Sequence, residues 1–530
     1  MNKLESFTKH INDGYTCTGD FITLGCAMVD GSVAAGANVN IPLRTMNRHG
    51  LIAGATGTGK TKTLQVISEQ LSEKGVPVLL MDVKGDLSGI AMPGTAKPFI
   101  AERHSKLNLP FSPKGYPAEL LSLSKQDGVR LRATVSEFGP VLLSRILDLN
   151  DTQAGVLSVI FKYCDDNKLA LLDLKDLKKA IQFVTEEGKK EVERDYGKIS
   201  TATTGIITRK ILELEQQGAE LFFGELSFEI SDLMRRDKYG NGYISILRLS
   251  DIQDKPKLFS TFMLSLLAEV YSKMPEKGDV EKPELVIFID EAHLIFSQAS
   301  KALLDQIENI VKLIRSKGVG IFFVTQNPTD VPNGVLSQLG LKVQHALRAF
   351  TAVDRKAIKL TAENYPLSEY YKTDETITSL GIGEALVTAL SERGNPTPLA
   401  ATMLRAPVSR MDILTPDEIK AINSSSVIVQ KYSQAIDRES AYEILNGKVS
   451  EIQKEGEIAR RGEGENGRIG EWERQPQRST SRRSNKTPQD QMVKVLTSAT
   501  FIRGVFGIFK EGEEIGYFCL FVFCLQSNLA

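Results

Sequence analysis

The spacing of apolar residues changes early in the chain, and the change predicts a strand, a helix and a second strand. Residues 51–53 form a short apolar run, after which Leu64, Ile67 and Leu71 fall on one face of a helix. Residues 78–82 form the next apolar run, beyond a glycine and a proline that end the helix. This order of elements begins a parallel sheet.

The same alternation continues to about residue 404. Further strands are predicted at 243–249, 285–289, 320–325 and 342–347, and helices at about 257–273 and 302–317. We therefore predict an α/β fold with a doubly wound, mostly parallel sheet flanked by helices. The last two apolar runs, 384–390 and 399–404, flank a segment rich in glycine and proline and predict a hairpin.

The pattern divides the chain into five segments. They are a short β-rich lead-in (1–47), a core (48–410) with a helical insertion at about 100–240, a helical extension (411–455), a flexible linker (456–490) and a short apolar C-terminal segment (491–530). The linker is predicted to be flexible because it is rich in Gly, Glu, Ser and Arg and has few apolar residues to bury.

Composition excludes several classes of protein. Of 530 residues, 42% are hydrophobic and 25% charged, which excludes a wholly disordered, collagen-like or disulfide-scaffold chain. The 65 Lys and Arg residues balance 66 Asp and Glu residues, so any binding to nucleic acid has to be local. Five scattered cysteines, a polar start and the lack of a long apolar run lead us to expect a soluble, cytoplasmic protein without membrane insertion.

A glycine-rich segment lies between the first predicted strand and the helix after it. Gly54–Thr61 reads GATGTGKT and fits the pattern G-x-x-x-x-G-K-S/T at every fixed position. Glycines let successive backbone N–H groups converge on phosphate oxygens at a helix N-terminus, whereas the alternative is a glycine-rich turn with an incidental lysine. The predicted phosphate-binding residues are Ala55, Thr56, Gly57, Thr58, Gly59, Lys60 and Thr61. Lys60 would reach the β- and γ-phosphates of ATP, and the Thr61 hydroxyl would bind Mg²⁺.

Two carboxylates follow the apolar run 285–289. Asp290 and Glu291 would emerge at the carboxyl end of a parallel strand, where open α/β sheets bind their ligands. Asp290 would hold Mg²⁺, and Glu291 would polarise an attacking water. The alternative is an ordinary acidic helix start. Combined with the glycine-rich loop, the pair favours hydrolysis over binding alone.

Three further polar residues are candidates. Gln326 follows the run 320–325 and could sense the γ-phosphate, or could simply end the strand before a proline turn. Arg348, after the next predicted strand, could reach the γ-phosphate bound by a neighbouring subunit. Arg315 is the other candidate for that role, and a solvated arginine remains the alternative at both positions. His293 has no second ligand at metal-binding spacing, so we assign it no metal.

Four segments together resemble the HerA/FtsK superfamily of hexameric P-loop ATPases. They are Gly54–Thr61, 80–89, 289–293 and 324–328, and the resemblance covers about residues 20–410. More narrowly, the chain resembles the bacterial HerA-like group typified by YjgR. The resemblance implies a RecA-like core with an extra strand between the P-loop strand and the Asp290 strand.

The same resemblance implies a function. ATP would bind between the subunits of a hexameric ring, its hydrolysis would drive work on DNA, and a further protein would recruit the ring. Lys60, Thr61, Asp290, Glu291 and Gln326 carry over as the ATPase residues, with Arg348 acting across the interface. An ATP-gated switch or scaffold without translocation, and a small-molecule kinase, are the alternatives.

Overall fold

The computed structural model describes residues 2–298, 301–434, 436 and 438–465. Its contacts form two compact units, which we describe separately. Unit 1 is Met1–Ala133 with Leu214–Ile436, and unit 2 is Thr134–Glu213 with Asp437–Ala530. The predicted linker 456–490 begins inside the last helix, and the remainder of it, together with segment 491–530, lies outside the described residues.

Within the described residues, unit 1 is built on one sheet of twelve strands. They are β1 (Phe21–Val29), β2 (Ser32–Pro42), β3 (Gly50–Ala53), β4 (Val78–Asp82), β5 (Ala118–Ser122), β6 (Val129–Arg130), β7 (Ile244–Arg248), β8 (Leu285–Ile289), β9 (Val319–Thr325), β10 (Leu341–His345), β11 (Glu384–Thr388) and β12 (Ala400–Leu404). Their order across the sheet is β2-β1-β12-β11-β10-β3-β9-β8-β4-β7-β5-β6.

The sheet is mostly parallel. All neighbours from β10 to β6 pair in parallel, whereas β10, β11, β12, β1 and β2 pair antiparallel in succession. The α/β fold class is therefore confirmed, as is the hairpin of β11 and β12. Strand β9 lies between β3 and β8, which confirms the extra strand implied by the resemblance.

The central strands are buried along their whole length. Strands β3, β4, β8 and β9 have no residue exposed to solvent, so their sequences are continuous apolar runs rather than alternating ones. Phe288 of β8 packs against Phe322 of β9, with ring centroids 4.9 Å apart. This burial is the reason that the strands could be predicted from short apolar runs.

The helices pack around the sheet in unit 1 and form most of unit 2. In chain order they are α1 (Lys3–Tyr15), α2 (Lys60–Glu73), α3 (Pro98–Leu107), α4 (Val135–Ile146), α5 (Asp151–Asp166), α6 (Leu174–Thr185), α7 (Lys189–Tyr196), α8 (Thr201–Gln216), α9 (Pro256–Lys273), α10 (His293–Gln298), α11 (Lys301–Ile314), α12 (Asn333–Leu336), α13 (Ala352–Glu363), α14 (Thr373–Ser379), α15 (Pro416–Ser425), α16 (Val427–Ser433) and α17 (Ala441–Glu465). No helix among the described residues is long and apolar enough to cross a membrane.

The lead-in differs from the predicted short strands and turns, because it starts with helix α1. Asn2 and Glu5 form a capping box at its N-terminus, and Phe7, Ile11 and Tyr15 bury one face at helical spacing. The strands after it, β1 and β2, belong to the main sheet. The lead-in is thus part of unit 1.

The predicted insertion at about 100–240 also contains strands. Its helical part, α4–α7, lies in unit 2, while β5 and β6 extend the parallel sheet of unit 1. In unit 2 the buried Asp176 carboxylate accepts hydrogen bonds from the backbone N–H groups of Leu172, Asp173 and Tyr442. This carboxylate therefore joins the start of α6, in the insertion, to the start of α17, which lies in the predicted helical extension.

Substitution of Tyr15 by Phe tests how helix α1 is attached. Tyr15 is 2% exposed, and its hydroxyl is 3.0 Å from the carbonyl oxygen of Val387 and 2.7 Å from that of Pro398. Loss of this donor should lower the free energy of unfolding by about 1–2 kcal/mol, since the buried carbonyls lose their partner. Chemical denaturation measures the change.

Tyr239→Phe is the matched control. Its side chain is 78% exposed, so the same substitution should change the unfolding free energy by less than about 0.5 kcal/mol. Equal effects of the two substitutions would contradict the assigned role of the Tyr15 hydroxyl.

Candidate active site

The glycine-rich loop 54–59 connects β3 to α2 through backbone conformations that other residues rarely adopt. Gly54, Gly57 and Gly59 have φ angles of +151°, +78° and +115°. A Cβ atom on Gly54 would lie 2.5 Å from the Cβ of His345 on β10, so no larger residue fits there. The backbone N–H of Gly383 donates to the Thr58 carbonyl at 2.9 Å and holds the far side of the loop.

Lys60 is the first residue of α2, and its side chain folds back into this loop. The side chain is 6% exposed, and Nζ donates to the carbonyl oxygens of Gly54 at 2.7 Å and Ala55 at 3.1 Å. Burial lowers the pKa of Lys60, and the neighbouring charge of Lys84 lowers it further. A buried ammonium group held by neutral carbonyls can gain substantially from an anionic partner.

Asp290 and Glu291 follow β8 at the same edge of the sheet. Ile289 pairs with Phe323 of β9 and with Met81 of β4, so the three strands end close together. Glu291 has a φ of +48°, in the left-handed region that costs a non-glycine residue about 1–2 kcal/mol. The tight turn at this residue is stabilised by a hydrogen bond from the Ala292 N–H to the Val324 carbonyl at 2.9 Å.

Three side chains from three elements surround the Glu291 carboxylate. Lys84, from the loop after β4, forms an ion pair with Oε1. His293 Nδ1 lies 3.2 Å from Oε2, and Gln326 Nε2 donates to Oε2 at 3.5 Å. Burial alone would raise the pKa of Glu291, but the contact with Lys84 outweighs it and the pKa lies below its ordinary value. The carboxylate is therefore ionised at neutral pH.

Asp290 provides the test of whether Mg²⁺ fits here. The side chain is 3% exposed, burial raises its pKa to about 7, and Oδ2 has no hydrogen-bond partner among the described residues. A buried carboxylate oxygen without a donor suits a hard cation, and the half-buried Thr61 hydroxyl is an oxygen ligand of the same kind. Within those residues no group of three or more His, Cys, Asp or Glu side chains is arranged to hold a metal ion. A cation would therefore need oxygen ligands from a bound nucleotide as well.

The structure brings four of the predicted residues together and leaves the two arginines apart from them. The positive charge of Lys60 interacts with the carboxylates of Asp290 and Glu291, and Gln326 contacts Glu291. Arg348 is exposed and donates to the Thr378 carbonyl at 3.4 Å. Arg315 lies after α11, with its guanidinium 3.9 Å from Asp279. Neither arginine contacts the two carboxylates within the described chain.

Two residues of the site were not predicted from the sequence. Lys84 contacts Glu291, and His345, fully buried at the end of β10, places Nε2 2.9 Å from the Thr63 hydroxyl of α2. Burial lowers the pKa of His345 to about 4, so it is neutral behind the loop. Both are polar residues at or just after the end of a buried parallel strand, the same signal that pointed to Asp290.

Similarity to known proteins agrees with this geometry. A family model described as "Helicase HerA-like C-terminal" matches residues 29–510. The DNA double-strand break repair helicase HerA of Sulfolobus acidocaldarius is 23% identical over 358 residues, which cover 67% of this chain and 65% of the relative. HerA of Sulfurisphaera tokodaii is 26% identical over 362 residues, with coverage of 67% and 65%. The chain thus spans about 65% of the length of these curated relatives.

Among solved structures, the bacterial conjugative coupling protein TrwBdeltaN70 is similar, with a TM-score of 0.49 and 14% sequence identity over 77% of this chain and 94% of that one. The narrower assignment to the group typified by YjgR stays a prediction. Because the family model matches far more than half of the residues, the chain belongs to the helicase HerA-like C-terminal family.

Proposed function

We propose that the chain is a Mg²⁺-dependent ATP hydrolase that assembles into a hexameric ring and uses hydrolysis to translocate or remodel DNA. The observation that supports this most strongly is the meeting of two groups at one edge of the sheet. Buried Lys60 begins α2 and its side chain folds into the loop after β3, while the buried Asp290–Glu291 pair follows β8 and its charges interact with that of Lys60.

The loop and α2 would bind the triphosphate. Backbone N–H groups of residues 56–60 would surround the phosphates, while the Ala55 N–H holds the start of the loop by donating to the Ala346 carbonyl at 2.9 Å. Lys60 would exchange its two carbonyl contacts for phosphate oxygens. Mg²⁺, held by the Thr61 hydroxyl and Asp290, would neutralise part of the phosphate charge when bound. His345 stays neutral behind Thr63 and supports the start of α2.

Glu291 would orient and polarise the attacking water. It is ionised, and its carboxylate is fixed by contacts from the ends of β4 and β9 and from the start of α10. Gln326 touches this carboxylate and would report the presence of the γ-phosphate. Arg348 is exposed three residues beyond β10, which suits a residue that completes the site of a neighbouring subunit.

The DNA part of the proposal comes from the two HerA relatives described above, both of which are DNA double-strand break repair helicases. A formal net charge of −1 is compatible with this substrate if basic groups are confined to one local surface. A recruiting protein would bring the ring to its DNA.

Steady-state turnover of Mg–ATP tests the function as a whole. The full chain is assayed with and without single-stranded and double-stranded DNA, while light scattering on the same sample measures its oligomeric state. We expect a hexamer whose turnover rises severalfold with one form of DNA.

Lys60→Ala should lose at least about tenfold in nucleotide affinity, because a charged partner of the phosphates is removed.

The outcomes separate the alternatives. A hexamer that hydrolyses ATP at one rate whatever the DNA would point to an ATP-gated switch or scaffold. A wild-type chain with no more turnover than Lys60→Ala would refute the hydrolase itself.

Mixing subunits tests whether Arg348 acts across an interface. Arg348→Ala and Glu291→Gln should each be nearly inactive alone, since such an arginine contributes about 10³-fold or more to the rate. Mixed rings should regain activity, because an Arg348→Ala subunit keeps Glu291 and its neighbour supplies the arginine. Arg315→Ala is mixed in the same way as the comparison. Mixed rings that form but stay inactive would remove Arg348 from this role.

A further inference from the structure

Lys84 lies on a loop whose backbone is fixed, while its side chain is half open to solvent. The buried Asp82 carboxylate accepts hydrogen bonds from the N–H groups of Gly85 at 2.7 Å, Asp86 at 3.2 Å and Leu87 at 3.1 Å. The Lys84 side chain is 38% exposed, whereas that of its partner Glu291 is 7% exposed. The lysine can therefore change partner without any movement of the loop.

The charges around Lys84 are those of the proposed phosphate site. Its ammonium group interacts with Asp290, Glu291 and Asp86, and its charge also reaches Lys60 in the loop after β3. Two ammonium groups close together are stabilised by anions between them. A γ-phosphate added at this place would compete with Glu291 for Lys84, because it carries more negative charge than one carboxylate.

The Glu291 carboxylate is a poorer acceptor for a water molecule while Lys84 is bound, because the ammonium group beside Oε1 offsets its negative charge. Oε2 already contacts His293 and Gln326, and Oε1 is the oxygen paired with Lys84. A carboxylate that activates water must accept a hydrogen bond from it. Release of Lys84 would strengthen Oε1 as an acceptor for that water, while Gln326 and His293 still contact Oε2.

We propose that Lys84 is a positioning residue that exchanges Glu291 for the γ-phosphate, and so frees Oε1 of Glu291 only when the loop holds a triphosphate. The inference rests on the proposed function, since it needs ATP bound at Lys60. It deepens that function by linking recognition of the γ-phosphate to activation of water. A lysine suits the exchange better than an arginine, because its ammonium is a compact charge on a flexible stem.

A double-mutant cycle on nucleotide binding tests the exchange. The affinities of wild type, Glu291→Gln, Lys84→Met and the double variant are measured calorimetrically for AMP-PNP and for ADP, each with Mg²⁺. Glu291→Gln should bind AMP-PNP about tenfold more tightly than wild type, because Lys84 no longer has to leave a carboxylate. In the Lys84→Met background the same change should have no effect beyond about twofold, and ADP should bind all four proteins alike.

Two further variants serve as controls. Lys125→Met removes an exposed lysine after β5 at the same edge of the sheet and should leave both affinities unchanged. Lys84→Arg keeps the charge. Paired with Glu291→Gln, it should show part of the coupling in AMP-PNP affinity that Lys84→Met abolishes.

Three results would overturn the proposal, and they can be told apart. If Glu291→Gln tightens the binding of AMP-PNP as much in the Lys84→Met background as in wild type, Lys84 does not move to the γ-phosphate. The ion pair is then only a static link between the ends of β4 and β8. If Lys84→Met weakens ADP as much as AMP-PNP, the lysine supports the loop and does not read the γ-phosphate. If wild type binds neither nucleotide, the proposed nucleotide site itself fails.

Discussion

Parallel pairing of β3, β9, β8 and β4 is the constraint on which the site depends. Ala53 is opposite Thr325, and Ile289 is opposite both Phe323 and Met81, so the four strands end at one edge. The polar residues that follow β4, β8 and β9 within two positions, and Lys60 seven positions after β3, are thereby brought together from distant parts of the chain. Antiparallel pairing among these strands would have placed the same residues at opposite edges.

The site is costly for the fold. Lys60, Asp290 and Glu291 are almost wholly buried, Asp290 Oδ2 lacks a partner among the described residues, and Glu291 has a strained backbone. Each feature lowers stability unless a bound ligand compensates for it. A cluster of buried charges and strain of this kind, next to a glycine-rich loop, is typical of a catalytic centre rather than of a packing core.

The sequence predicted what local pattern can determine. Continuous apolar runs located the parallel strands because those strands are buried on both faces, and the fixed spacing of Gly54–Thr61 located the loop. Helix α1 was not predicted, because Gly14 near its end and the glycines that follow it suggested short strands and turns. The contact of Lys84 with Glu291 depends on β4 lying next to β8, and strand order is a property of the whole sheet.

The most direct test of this account is an experimental structure of the full chain with Mg²⁺ and AMP-PNP. The account predicts the triphosphate in the loop of residues 54–59, the cation between Thr61 and Asp290, and Lys84 on the γ-phosphate with Glu291 Oε1 facing a water. A nucleotide bound elsewhere, or one bound in the loop with the Lys84–Glu291 ion pair intact, would contradict it.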